Sequence, residues 1–219
     1  MAEPFGAWNS DLAGDYDRIA EPYADAFFDE LDRKPFDRDL LDRFARSVTG
    51  LVCDLGCGPG HVTGYLASRR VNAIGLDLSP RMIEIARRRN PGGRYEVGDM
   101  RHLDVPAGSF GGILSLYALI HFRRDAIVPI LREMYRVLRP IGRSLLACHR
   151  GQGEVHAEER FGQPVSLDAT LFEPDELAGY VAAAGFVVDE TLTRKPYDFE
   201  YQAEKIYILA TKTSAAPPN

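Results

Sequence analysis

The chain has 219 residues, 45% hydrophobic and 26% charged, which is typical of one folded globular domain and excludes disorder for most of its length. A formal net charge of -6 argues against a large surface for nucleic acid, because such binding depends on clustered Lys and Arg. A small-molecule partner is favoured.

Three cysteines, Cys53, Cys57 and Cys148, form neither a disulfide framework nor a paired zinc motif. No apolar run approaches the roughly 18 residues of a membrane span, and the first residues lack the apolar core of a signal peptide. We therefore expect a cytoplasmic protein with reduced cysteines and no membrane partner.

The N-terminal quarter predicts helices that cover one end of the fold. Apolar residues recur at helical spacing from Tyr16 to Phe28, and Pro22 divides this stretch into two short helices. A third helix is predicted over Pro35 to Val48. Residues 1–48 would thus form a helical cover over the ligand end of the first strand.

The stretch Leu51 to Gly60, LVCDLGCGPG, predicts a buried strand that ends in a tight turn. The apolar run meets Asp54, and glycines follow at alternate positions: Gly56, Gly58 and Gly60. Such glycines permit positive φ and a bare backbone, and a helix follows whose first N–H groups are unpaired. The pattern fits a nucleotide-like ligand.

Two further β–α steps bring more acids to the same edge. A strand ending in Asp77 follows one β–α–β unit after Asp54, where a carboxylate can hold two ribose hydroxyls. Ser79 and Pro80 predict the start of the next helix. The third strand ends beside Asp99, which could accept from an amino group, and Met100, which could pack on a flat ring.

The second half of the chain continues the alternation. The predicted elements are a strand Phe110 to Leu116, a helix Asp125 to Leu138, a strand Ser144 to His149, a helix Asp175 to Ala184, and strands over 185–188 and 205–210. Residues 151–172 are too long for a simple connector, so this insertion is expected to carry function or local structure of its own.

Together, the motifs DLGCGPG, LDLSP, GDM and VLRPIG, with a fourth strand that runs into an aromatic and His121, resemble the class I S-adenosylmethionine-dependent methyltransferase family, in its small-molecule branch. The resemblance implies an α/β, Rossmann-like sheet of seven mostly parallel strands, with helices on both faces and an antiparallel last strand. The resemblance covers roughly Tyr16 to Lys212. From length and composition we expect one domain over 1–219 with a loose, Ala- and Pro-rich tail at 213–219, and we expect the insertion at 151–172 to lie over the acceptor site. In place of the family's Pro-Gly-Gly turn, this chain has Pro140-Ile141-Gly142.

The resemblance also implies cofactor-binding positions for S-adenosylmethionine. Asp54 would stand near its amino group, Asp77 would take the ribose hydroxyls, and Asp99 would accept from the adenine amine. The remaining implied positions are Tyr16, Gly56, Cys57, Gly58, Leu78, Met100, Ser115 and Leu116.

For catalysis, methyl transfer requires a base only if the acceptor must lose a proton. We rank His121 first as that base, since it follows the fourth strand at the ligand edge. Tyr23, Tyr117, His149 and His156 are the predicted substrate-binding residues. No metal site is predicted, because the end of the fourth strand lacks acids and the histidines lack i, i+4 spacing.

Two other classes of enzyme are disfavoured by the sequence. A nicotinamide dehydrogenase is disfavoured because His61 stands where its third glycine belongs, and Ser115 to Ala118 replaces the Asn-Pro-Pro-aromatic cluster of amine-directed nucleic-acid methyltransferases. A cofactor-binding module without activity, or a methyltransferase acting on a macromolecule, remains open at this point. The acceptor, its reacting atom (O, N or C) and the oligomeric state are also open.

Overall fold

The structure is a computed structural model that describes residue 9 and residues 11–213. Most of the predicted tail and the first eight residues therefore lie outside the described residues. The helices are α1 (Leu12–Phe27), α2 (Pro35–Ser47), α3 (His61–Ser68), α4 (Pro80–Arg89), α5 (Arg124–Val137) and α6 (Pro174–Ala183). The strands are β1 (Leu51–Leu55), β2 (Asn72–Asp77), β3 (Arg94–Val97), β4 (Phe110–Leu116), β5 (Leu138–His149), β6 (Glu154–Arg160), β7 (Gln163–Thr170), β8 (Phe186–Arg194) and β9 (Lys205–Lys212).

Seven strands form the central sheet in the order β3-β2-β1-β4-β5-β9-β8. All run parallel except β9, which is antiparallel to both of its neighbours. This confirms the predicted fold. Strand order reverses between β1 and β4, so the carboxyl ends of β1, β2 and β4 border the crevice where open α/β sheets bind ligands.

The helices bury both faces of the sheet. Successive side chains of β4 point to opposite faces of the sheet. Ile113 packs in a core with residues of α5 and α6, and Leu114 packs in a core with residues of α2 and α3. Both side chains are fully buried. A central parallel strand with apolar residues on both faces is what the continuous apolar run predicts.

The N-terminal segment corrects one prediction. Instead of two short helices, α1 is a single helix with Pro22 inside it. An interior proline removes one helical hydrogen bond and costs about 3 kcal/mol. Burial of Ile19, Ala20 and Ala24 offsets that cost, and Asp17 ties α1 to α4 by accepting from the Ser79 hydroxyl at 2.5 Å and the Arg81 N–H at 3.0 Å.

The insertion at 151–172 is a β-hairpin, β6–β7, separate from the central sheet. Its turn places Phe161 and Gly162 at φ +54° and +71°, the pattern of a two-residue hairpin loop. Val165 and Leu167 pack with Ile19 of α1. The sequence did not predict these strands, because β6 reads EVHAEER without alternating apolar residues.

The fifth strand starts earlier than predicted, at Leu138 rather than Ser144. Phe110 pairs with Leu138 and Gly112 with Arg143, so the register shifts and the extra residues bulge outward. Ile141 in this bulge is 70% exposed at φ +60°. A bulge explains why Pro140 does not end the strand.

Candidate active site

The glycine loop after β1 is tied to the end of β2. Gly56, Gly58 and Gly60 all have positive φ (+74°, +52° and +83°). A Cβ on Gly56 would lie 2.3 Å from Cβ of Ala118. The Gly56 and Cys57 N–H groups donate to the Leu76 carbonyl at 2.8 and 3.1 Å, so neither is available to a ligand. The loop therefore offers a bare surface rather than free donors.

Asp77 holds this loop and keeps capacity for a ligand. Its Oδ2 accepts from Gly58 N–H at 2.8 Å and its Oδ1 from Ser79 N–H at 2.9 Å. Because an ionised carboxylate has about four acceptor positions, two remain for hydroxyl groups. Burial raises the pKa of Asp77 to about 6, against the opposing effect of these hydrogen bonds.

A first cavity lies over the carboxyl ends of β1, β2 and β4 and the start of α1. Eight predicted cofactor residues line it: Tyr16, Gly56, Gly58, Asp77, Leu78, Asp99, Met100 and Leu116. Asp99 is bound by the guanidinium of Arg101, with Nη2 at 2.6 Å from Oδ2. The free volume is about 80 Å³, below the roughly 300 Å³ of small-ligand pockets.

Three predicted cofactor residues, Asp54, Cys57 and Ser115, are not part of this cavity wall. The carboxylate of Asp54 is buried and accepts from the Thr63 hydroxyl at 2.6 Å, which fixes the start of α3. The Cys57 side chain packs with Ile83, Ala86 and Tyr95. The side chains of Asp54 and Cys57 therefore support the glycine loop from within the fold, which is a structural role and not a ligand contact.

Ser115 is fully buried, and its hydroxyl is without a hydrogen-bond partner in the described part of the chain. The neighbouring Leu116 does line the cavity, as expected for a strand end. Tyr117, which follows, adopts φ +58°, a conformation that costs a non-glycine residue about 1–2 kcal/mol. Such outliers cluster at functional sites.

A second cavity of about 350 Å³ adjoins the first. Four residues line both cavities: Tyr16, Tyr23, Tyr117 and His121. His149 and His156 line only the second, between α1, the hairpin and the segment before β9. All four predicted substrate-binding residues therefore lie in its wall, together with the predicted base.

His121 and Tyr16 form a hydrogen-bonded pair where the cavities meet. The His121 Nδ1 lies 3.0 Å from the Asp168 backbone carbonyl, which only accepts, so Nδ1 carries the proton. Nε2 is then the acceptor of the Tyr16 hydroxyl at 2.6 Å. Burial lowers the pKa of His121 to about 4, and burial with the charge of Asp77 raises the pKa of Tyr16. At neutral pH the His121 imidazole is therefore an uncharged base. Its Nε2 is connected to the cavity by the hydrogen bond from the Tyr16 hydroxyl.

The other two histidines differ in their partners. The His156 Nδ1 lies 2.7 Å from Oδ1 of Asp168 on the hairpin. The His149 ring stacks on Tyr117 with centroids 5.0 Å apart, and its buried Nδ1 has no hydrogen-bond partner among the described residues. Burial lowers the pKa of His149 to about 3, with the charge of Lys205 acting in the same direction. His149 is therefore neutral.

Sequence reasoning missed a group of charged residues in the second cavity. They come from the helical turn Glu30–Arg33 and the residue after it, from the segment before β9, and from the start of β9: Glu30, Lys34, Glu200 and Lys205. The i, i+4 spacing of Glu30 and Lys34, which lie 2.8 Å apart, was the available signal. No local pattern linked the other two to this site, because their approach depends on β9 pairing with β5.

Over residue 9 and residues 11–213, no group of three or more His, Cys, Asp and Glu side chains is arranged to hold a metal ion. Within the same range, none of the helices combines the length and apolarity needed to cross a membrane.

Comparison with known proteins gives a consistent result. A family model described as a methyltransferase domain matches residues 52–142. The chain is 36% identical over 101 residues to the magnesium-protoporphyrin O-methyltransferase of Rhodobacter capsulatus, covering 43% of this chain and 44% of the relative. It is 35% identical over 143 residues to the malonyl-acyl-carrier-protein O-methyltransferase of Pectobacterium atrosepticum, covering 65% and 50%. The chain thus spans about half the length of these curated relatives.

Among solved structures, the 1,6-didemethyltoxoflavin-N1-methyltransferase of Burkholderia thailandensis superposes with a TM-score of 0.75 over 98% of this chain and 92% of that one, at 22% identity. That crystal structure contains 1,6-didemethyltoxoflavin and S-adenosylhomocysteine. At this identity the likeness concerns the fold.

Proposed function

Because the chain belongs to the class I S-adenosylmethionine-dependent methyltransferase family, we propose that it transfers the methyl group of S-adenosylmethionine to a small organic acceptor. One observation carries the proposal: the cavity over the strand ends and the larger second cavity share Tyr16, Tyr23, Tyr117 and His121. A donor in the first cavity and an acceptor in the second would meet at these residues.

The residues of the first cavity fit the donor. The glycine loop leaves a surface that side chains would fill, and Asp77 retains two acceptor positions for ribose hydroxyls. Leu78 and Met100 provide apolar walls for a flat base. Asp99 faces the same cavity, but both of its oxygens already accept from the Arg101 guanidinium, and Oδ1 also accepts from the Arg101 backbone N–H. An exocyclic amine would therefore have to displace part of the Arg101 contact to be bound by Asp99.

Bound S-adenosylmethionine would supply an electrophilic methyl group. The protein's main contribution is then to hold the acceptor in line at about 3 Å, which can supply roughly 7 kcal/mol. For an acceptor that must lose a proton, the Tyr16 oxygen takes it while the Tyr16 proton passes to Nε2 of His121. For an acceptor that needs no deprotonation, the same pair only positions it.

Calorimetry with S-adenosylhomocysteine tests the donor site. Asp77→Ala removes the ribose acceptor and the anchor of Gly58, so we expect affinity to fall about 100-fold, equivalent to two or three hydrogen bonds. The matched control is Asp175→Ala, an exposed acid at the start of α6 outside both cavities. Equal affinity of wild type and Asp77→Ala would remove the ribose assignment.

A screen of hydroxylated and amine acceptors, read by S-adenosylhomocysteine formation, tests transfer itself. Donor binding with no product from any small acceptor would favour a binding module without activity, or a methyltransferase for a macromolecule. If an acceptor is found, a His121→Ala variant with full rate would exclude His121 as a base. Cytoplasmic location and the exclusion of nucleic acid stay predictions.

A further inference from the structure

Lys205 is a buried cation that the proposed transfer does not use. It opens β9 beside His149, its partner in the β5–β9 register. The side chain is 2% exposed and lies in the wall of the second cavity. Charged side chains are rarely buried to this extent without a partner of opposite charge.

The contacts of Lys205 are all neutral. Its Nζ donates to the carbonyls of Tyr201 at 2.7 Å and Ala203 at 2.8 Å. An ammonium has three protons, so one has no acceptor within residues 11–213. Burial lowers the pKa of Lys205 to about 8, which leaves it mostly charged at neutral pH.

The acids of the cavity wall are already neutralised by other cations. Glu30 and Glu200 both contact Lys34, at 2.8 and 2.9 Å. Glu200 also binds Arg194 at 2.6 Å. Across the described residues, Lys205 forms no ion pair. The wall therefore contains a buried positive charge that a ligand could neutralise.

His149 adds a second group that lacks a partner at the same place. No hydrogen bond to either ring nitrogen is formed within the described residues, and Nδ1 is buried. A neutral imidazole has one N–H to donate. Lys205 and His149 together could therefore give one ammonium and one N–H donor to the same acceptor group.

Aromatic side chains line the space between this end and the Tyr16–His121 pair. Tyr117 stacks on His149, and the ring centroids of Tyr23 and Phe27 lie 4.6 Å apart, all four side chains being in the cavity wall. A volume of about 350 Å³ is at the lower end of small-ligand pockets. One or two rings would fill it.

We propose that the acceptor is an aromatic carboxylic acid whose carboxylate is bound by Lys205 and His149, with the methylated atom at Tyr16 and His121. Of the two buried lysines in this wall, Lys34 is already paired with Glu30 and Glu200, so Lys205 alone would be neutralised by a ligand, which suits a single negative charge. The carboxylate serves for binding only. It lies at the end of the second cavity where β5 pairs with β9, apart from the first cavity, which takes the donor. This inference rests on the proposed methyltransferase function, since it names the substrate class of the same site.

The test measures binding and does not need turnover. Matched acids and amides are titrated by ligand-observed NMR in the presence of S-adenosylhomocysteine: benzoate with benzamide, salicylate with salicylamide, and indole acetate with indole acetamide. For the wild type we expect at least one acid to bind about 10-fold more tightly than its amide, the effect of one charge-assisted hydrogen bond. Equal binding of acids and amides, or no binding by any acid, would overturn the proposal.

Variants then assign the preference to Lys205. In Lys205→Met the acid should lose about 10-fold in affinity and the amide less than about twofold, and Lys205→Arg should keep most of the preference. A merely structural role would weaken acid and amide equally. The matched control is Lys212→Met at the other end of β9, where Nζ also donates to two carbonyls, of Tyr135 and Leu138, both at 2.7 Å, but outside both cavities.

S-adenosylhomocysteine affinity, measured for every variant, separates the two proposals. If the wild type fails to bind it, the methyltransferase assignment fails. If it binds normally and acids show no advantage, only the acid assignment fails. Normal affinity in Lys205→Met also shows that the variant is folded.

Discussion

The two cavities are built in different ways. The first is walled mainly by residues that directly follow β1, β2, β3 and β4. The second takes its wall from α1, the β6–β7 hairpin and the segment before β9, which are far apart in the chain. The donor side thus follows from the sheet itself, whereas the acceptor side depends on segments that the sheet merely brings together. Changes to the first should act on folding and donor binding, and changes to the second on acceptor choice.

The largest expected effect is in the glycine loop. Gly56→Ala should lower the free energy of unfolding by about 3 kcal/mol, combining left-handed φ with overpacking against Ala118. Gly58→Ala shares the positive φ, but its nearest neighbour is Tyr23 Cε1 at 3.9 Å, so about 1 kcal/mol is expected. Urea denaturation measures both. Equal losses of unfolding free energy in the two variants would show that the loop shifts to accommodate the added methyl group at position 56.

Substitutions where the two cavities meet should change the rate of turnover and not the stability of the fold. Tyr16→Phe removes the hydroxyl that donates to His121, so for an acceptor that must be deprotonated we expect turnover about 100-fold slower. Tyr23→Phe is the matched control, because Tyr23 is also a half-buried tyrosine that lines both cavities. Its rate should stay within about 10-fold of wild type. If both variants lose rate equally, proton transfer through Tyr16 is excluded.

The smallest expected effect concerns His149. His149→Phe can keep the stacking on Tyr117 and removes a buried nitrogen without a partner, so stability at pH 7 should rise by about 1 kcal/mol while acid binding weakens.

The same substitution should change the pH dependence of stability. The pKa of His149 is about 3 in the folded protein and about 6.5 unfolded, so below pH 6.5 the unfolded chain binds a proton that the folded one does not. Wild-type stability should therefore fall as pH drops from 6.5 towards 3, and the advantage of His149→Phe should widen. Urea unfolding at pH 7 and pH 5 measures this, and a constant difference would contradict a buried neutral imidazole.

The mostly parallel sheet with its antiparallel last strand could be predicted from the family resemblance, and the strand ends that border the first cavity could be predicted because their signals are local. A strand that ends in Asp77, and glycines at 56, 58 and 60, specify turns and edges within a few residues. The role of Pro22 could not be predicted, since only packing on α4 and the hairpin offsets the lost helical hydrogen bond. Lys205 could not be assigned either, because its position beside His149 depends on pairing between strands distant in sequence.

The reversed direction of β9 has a consequence for how this domain can change. Because β9 runs antiparallel to its neighbours, its first residue, Lys205, lies at the sheet edge formed by the carboxyl ends of the parallel strands. The segment 195–204, which leads into β9, therefore also lies at this edge. That segment contacts the acceptor cavity through Phe199, Glu200 and Tyr201 without entering the donor cavity. Its length and sequence can therefore vary independently of the methyl donor. Under the proposed function, exchanging this one connection would change the acceptor site and leave the residues that line the first cavity unchanged.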